Sequence, residues 1–136
     1  MPVTPNKEQY VEAVGRRKTA IARVRLWQGK KKAFVVNEKP LEQYFGEREY
    51  QRIATEAVEK SSPDREMEVT VAVKGGGLHA QATAIRQGIA RALEKIEAGL
   101  RPQLKALGFL TRDSRMRERK KFGKKRARRA RQWRKR

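Results

Sequence analysis

The residues of this chain best suited to chemistry are cations, glycines and a few aromatics, and the chemistry they suit is binding. The last eighteen residues, Arg119 to Arg136, read RKKFGKKRARRARQWRKR, with twelve Lys or Arg, no Asp or Glu, and Phe122 and Trp133 among them. Like charges packed side by side repel, so such a segment is made to lie on a polyanion, and nucleic acid is the densest one in a cell. Aromatics among the cations either anchor on the protein's own body or stack on bases. A second run, Gly15-Arg16-Arg17-Lys18-Thr19, continues through Arg23, Arg25, Lys30, Lys31 and Lys32. Cations clustered on one face of a sheet are the footprint of a phosphate-tracking surface, which favours nucleic-acid contact over a solvated edge. Gly75-Gly76-Gly77 lies between a strand pattern and a helix pattern. That geometry turns backbone N–H groups and a positive helix end toward a phosphate. Neither Gly-Lys-Ser/Thr nor GxGxxG is present there, so two readings stay open: a permissive turn, or a contact with an RNA backbone.

Catalytic chemistry finds little to use. His79 is the only histidine and there is no cysteine, which leaves no ligand set for a metal and no thiol chemistry. Glu8, Glu12, Glu38, Glu42, Glu47, Glu49, Glu56 and Glu59 are scattered, without the paired carboxylates of glycosidic or phosphoryl chemistry. The expectation is a protein that is not an enzyme and takes no cofactor.

The charge is unevenly placed. The chain carries 35 basic and 15 acidic residues, a net charge of +20. From Thr111 onward there are fifteen basic and two acidic residues, against twenty and thirteen before it. Three parts are expected: a flexible leader over 1–9, a globular body over 10–110 and an extended basic tail over 111–136. A body of that length buries roughly 60–70% of its unfolded surface in a single core. No apolar run approaches the ~20 residues of a membrane span, and MPVTPNKEQY lacks a secretory core, so a cytoplasmic protein with no membrane partner is expected.

The cations have to be positioned by the body's elements. Ala20, Ala22, Val24 and Leu26 alternate with Ile21, Arg23, Arg25 and Trp27, the period-two pattern of a half-buried strand. Gln28-Gly29-Lys30 supplies turn chemistry, so Ala33-Phe34-Val35-Val36 is read as the returning strand of a hairpin. Helices are expected over 41–45 and 48–60, the latter with Tyr50, Ile53, Ala54, Ala57 and Val58 on one face. Met67, Val69, Val71 and Val73 mark another strand. A long helix follows over about 78–98, with Ala82, Ile85, Ile89, Ala92, Leu93 and Ile96 as its stripe, and a short one over 102–107. Gly88, inside the long helix, costs about 1 kcal/mol against Ala, and is read as permitting close approach of a neighbour. The fold class is α+β: one small sheet layer covered by helices on one face.

Several of these segments resemble a known family. GRRKTAIARVRLWQG (Gly15–Gly29), VNEKPLEQYF (Val36–Phe45), GGGLHAQATAIRQGIARAL (Gly75–Leu93) and LTRDSRMRERKKFGKKRARRARQWRKR (Leu110–Arg136) resemble, in order, the motifs of the universal small-ribosomal-subunit protein nine family, bacterial type. The resemblance covers nearly everything from Tyr10 to Arg136. It implies a fold like the second domain of small-subunit protein five, with a left-handed βαβ crossover against the usual preference. It further implies a structural role in the head of the small subunit, bound to small-subunit rRNA beside other head proteins, without homo-oligomerisation. A cytoplasmic ribosome is favoured over an organellar one.

On this resemblance the rRNA contacts are Arg16, Arg17, Lys18, Arg23, Arg25, Lys30, Lys31, Lys32, the glycines Gly75, Gly76 and Gly77, and the tail residues Arg112, Arg115, Arg119, Lys120, Lys121, Lys124, Lys125, Arg126, Arg128, Arg129 and Arg131. Arg134, Lys135 and Arg136 are the expected contacts to tRNA in the peptidyl site. Three departures stand out. Ala80 and Thr83 replace common glycines, Ser114 replaces a frequent Pro, and Arg134 replaces the Ser of the family's Ser-Lys-Arg end. The tail is expected to order on RNA. A DNA-compacting protein would share the polycation but would be expected to show a dimerising helical core or a groove-entering helix, and neither is found.

Overall fold

Two antiparallel strands open the chain: β1 (Val11–Arg17) and β2 (Ala20–Gln28), turned at Lys18-Thr19, where Lys18 takes a positive φ of 51°. The computed structural model describes residues 10–28, 32–61 and 63–133. After β2 come β3 (Ala33–Val36), a two-residue β4 (Lys39–Pro40) and α1 (Leu41–Tyr44). Then follow α2 (Arg48–Ser61), β5 (Met67–Lys74), α3 (Leu78–Ile96), a 3-10 turn at Ala98–Leu100 and α4 (Arg101–Ala106). The five strands make one mixed sheet in the order β1-β2-β5-β3-β4.

The expected hairpin between β2 and β3 is not formed. β5 lies between them, antiparallel to β2 and parallel to β3. The reason is backbone satisfaction. β5 pairs Ile21 through Gln28, whereas β3 offers only four residues and would leave half of β2 without partners. The true hairpin is β1–β2, whose turn carries no glycine and so gave little signal. The four helices and β5 fall within two residues of expectation, while the two-residue β4 and the 3-10 turn are additional.

Alternation along the strands decides the two faces. Ala13, Ala20, Ala22, Val24, Leu26, Val69, Val71 and Val73 are buried on one face, and α3 lies across β1 and β2 there, with α2 packed beside it. Ile85, Ile89 and Leu93 are fully buried, each removal from water stabilising the fold by roughly 1.5–3 kcal/mol. α3 is buried more widely than a single stripe: Ala80, Ala84, Gln87, Gly88 and Ala90 are also inside. Its small residues let the sheet and α2 approach from different sides.

α4 ends in a Schellman arrangement. The Phe109 N–H donates to Leu104 O (3.2 Å) and the Gly108 N–H to Lys105 O (3.0 Å), while Phe109 and Leu104 are both buried. That cap fixes the point at which the chain leaves the core. Beyond it, residues 111–121 carry no helix or strand, and Lys124 and Ala130 form an isolated antiparallel bridge.

Candidate nucleic-acid interface

The face of the sheet opposite the helices is open, and its rows can be read across the strands. Arg16, Ile21 and Lys74 form one row; Val14, Arg23 and Ala72 the next; then Glu12, Arg25, Thr70 and Val35; then Trp27, Glu68 and Ala33. Four cations thus share this face. Glu12 accepts a hydrogen bond from Arg25 Nε at 3.3 Å and forms an ion pair with Arg23 Nε at 3.3 Å, splaying the two guanidiniums over β2. Tyr10 closes the last row: its ring lies 5.2 Å from that of Trp27, and the Arg25 guanidinium sits 4.8 Å from the Tyr10 centroid.

Arg17 has a different setting. Strand alternation turns it to the helix side, its side chain is only 15% exposed, and it donates to Arg115 O (2.7 Å) and Asp113 O (3.4 Å). It also pairs with the Asp113 carboxylate at 3.5 Å. Arg112 reaches back to Lys18 O at 3.4 Å. β1 therefore holds the root of the basic segment. Asp113 is fixed from the other side by Arg115, whose Nε and Nη2 donate to the carboxylate oxygens at 3.0 and 2.9 Å. These hydrogen bonds, with one from the Arg115 N–H and the charges of Arg115 and Arg17, hold the Asp113 carboxyl well below the usual carboxylate range. A groove of about 540 Å³ lies along this junction, bordered by Arg16, Arg17, Arg86, Arg112 and Arg115.

Phe109, the last core residue, lies under two cations, with Arg86 4.9 Å and Lys60 5.8 Å from its centroid. Glu56 accepts from both, at 2.9 Å and 2.8 Å. Burial pushes the Glu56 carboxyl up, but these hydrogen bonds and charges outweigh burial and leave it below its ordinary value. The exit of the chain from the body is thus pinned twice.

Gly75 and Gly76 have φ of 80° and 67°, and a Cβ on Gly75 would meet Thr19 O at 2.4 Å. The turn packs on the β1–β2 turn, so these two glycines are required by the fold. Gln81 secures it by donating to Gly75 O (3.0 Å) while accepting from the Tyr44 hydroxyl (2.6 Å). Gly77, at the start of α3, has open space around it. His79 stacks edge-on to Tyr50.

In the distal segment, Glu118 binds Arg128 (2.9 Å) and Lys121, and the Lys125 N–H donates to Arg129 O (2.9 Å). Arg119, Lys120, Lys124, Arg126 and Arg131 are exposed along it, as are Phe122 and Trp133. Lys32 donates to Pro63 O at 3.4 Å. Lys30, Lys31 and the expected tRNA contacts Arg134, Lys135 and Arg136 lie outside the described residues.

Three residues on α3 escaped the sequence reading. β1 is an edge strand, and Gln87 accepts from the Arg16 N–H (2.8 Å), Arg91 donates to Val14 O (2.7 Å) and Lys95 to Glu12 O (2.8 Å). They recur every four residues, one above another on a helix, and close the edge that would otherwise template another strand. The spacing was visible; which edge it served was not.

Among the described residues no group of His, Asp or Glu is arranged to hold a metal ion, and no helix is long and apolar enough to cross a membrane. An open cationic sheet face, continued by a pinned cationic extension, defines a cationic α+β scaffold. Residues 15–136 match the family described as ribosomal protein S9/S16, and the chain belongs to that family. It is a structural protein of the small ribosomal subunit.

Proposed function

We propose that the protein binds small-subunit rRNA through the open sheet face and the basic segment beyond residue 110, and that its last residues touch tRNA in the peptidyl site. The observation that carries this reading is the state of the two acidic residues in that segment. Asp113 and Glu118 are each engaged by neighbouring arginine or lysine, so they organise the segment locally and leave its large cationic excess to an outside polyanion. Phosphate contacts of this kind position a protein without reading sequence, and the irregular shape of folded RNA supplies specificity.

In this reading 10–110 is the docking body and 111–136 the extension, the β3-to-β5 crossover is left-handed, and the neighbours are proteins of the subunit head in a cytoplasmic ribosome. The protein is present in one copy, not as a homo-oligomer. Arg16, Arg23, Arg25 and Lys74 meet phosphates on the body, Arg17 acts by holding the root of the extension, and Lys135 and Arg136 grip the tRNA backbone.

Two measurements test it. The protein should co-sediment with small subunits through a high-salt gradient; release there with retained binding to bulk DNA overturns the rRNA assignment. Subunits carrying a chain cut after Trp133 should assemble but hold peptidyl-site tRNA more weakly. Equal tRNA affinity across a salt titration removes the tRNA contact.

A further inference from the structure

The open face is charged at one end and aromatic at the other. At the aromatic end Tyr10 is 42% exposed, so its ring does not serve the core. It tilts at 54° to Trp27, and Arg25 lies over it. Beside this cluster runs a shallow groove of about 500 Å³. Arg23 and Arg25 form one wall, the Asn37-Glu38 turn the other, and Thr70 and Ala72 of β5 the floor. The small floor side chains leave the sheet flat enough for a planar group to lie on it.

These features discriminate between forms of RNA. A duplex keeps its bases stacked inside and offers only phosphates and 2′-hydroxyls to a flat surface. It would use the four cations and gain nothing from the rings. An unpaired nucleotide offers both a phosphate and a base face, and stacking on an aromatic side chain contributes about 1–3 kcal/mol per base. Arg25 serves both needs, since a guanidinium pairs with phosphate and also stacks.

We propose that the open face receives unpaired nucleotides of RNA, with bases stacking at the Tyr10–Trp27 end and phosphates on Arg23 and Arg25. This rests on the reading that the face binds RNA, and adds that the RNA there is single-stranded. Glu12, by tethering both arginines, holds them ready for consecutive phosphates. Glu38 on the opposite wall repels phosphate and so directs the backbone toward β2.

Trp27 is its own reporter. In the full chain carrying Trp133→Phe, indole emission comes from Trp27 alone, because the sequence has two tryptophans. A short pyrimidine-rich single strand and a blunt duplex of equal length are titrated in, with anisotropy of labelled RNA followed in parallel. The single strand should quench Trp27 and the duplex should bind with little quenching. Tyr10→Ala should weaken the single strand at least about fivefold, the lower end of a one-base stacking loss, and leave duplex affinity unchanged. A strand bearing 5-iodouracil should crosslink to Tyr10 or Trp27. Binding of both RNAs with Trp27 emission unaltered, or quenching without a crosslink, overturns the stacking and assigns the face to a duplex or a neighbouring protein, while RNA binding itself stands. Failure of both RNAs to bind overturns the RNA reading as well.

Discussion

Gly15 on β1 and Gly88 on α3 meet backbone to backbone. A Cβ on Gly15 would lie 1.8 Å from Ala84 O and 2.4 Å from Gly88 N, and one on Gly88 would lie 2.6 Å from Val24 Cγ2 and 3.1 Å from Gly15 N. This contact seats α3 against the edge strand closely enough for Gln87, Arg91 and Lys95 to reach it.

The two glycines should respond differently to substitution. Gly15→Ala collides with backbone that cannot yield, and should cost about 3 kcal/mol or more. Gly88→Ala gains about 1 kcal/mol of helix propensity but collides mainly with a side chain, so a smaller net loss is expected. Its cost should shrink further in a Val24→Ala background, a coupling that urea unfolding of the double-mutant cycle measures. Independent, additive effects would show that the contact is slack.

Asn37 acts as a surrogate strand residue. At φ 49°, its side chain accepts from the Val73 N–H (2.9 Å) and donates to Val73 O (2.8 Å), extending the pairing of β5 beyond the end of β3. Asn37→Ala leaves those buried groups unpaired, at about 1–3 kcal/mol. The Val73 amide should then exchange with solvent much faster, while amides along β1 remain protected.

The latch at the root of the extension should survive mild acid. Because the folded-state value of Asp113 is depressed, its contribution is present above the ordinary carboxyl value, about 3.9, and disappears only as pH falls through the lower folded value. Between pH 7 and pH 4 the Arg17–Asp113–Arg115 contacts should persist. The side-chain carbon shift of Asp113 followed by NMR should stay at its ionised value there. An inflection near the ordinary carboxyl value would show that Arg17 and Arg115 do not hold it.

The open face should announce itself through salt. Replacing both Arg23 and Arg25 with Gln should flatten the dependence of log Kd on log salt for a single-stranded RNA by about 0.7 per lost phosphate contact. Far-ultraviolet circular dichroism should be unaltered, since both side chains lie outside the core. An unchanged slope would place the RNA path elsewhere on the body.

Much of this protein was legible from residue order alone. Apolar alternation in β2 and β5 and the three-and-four spacing in α2 and α3 depend on local periodicity, so strands, helices and their buried faces followed directly. The cationic segment was equally plain, because charge density needs no fold to be counted. What stayed hidden depends on residues far apart in sequence. β5 slips between β2 and β3 because a full-length partner satisfies more backbone than a short one nearby. Arg17, alike in type to Arg16, turns to the opposite side of the sheet and meets Asp113, a contact spanning 96 positions. Arg91 and Lys95 lie off the apolar stripe of α3 or at its margins, and only the fold brings β1 beneath them. Composition thus determined the sign and amount of charge, whereas tertiary packing decided which cations hold the protein together and which face outward.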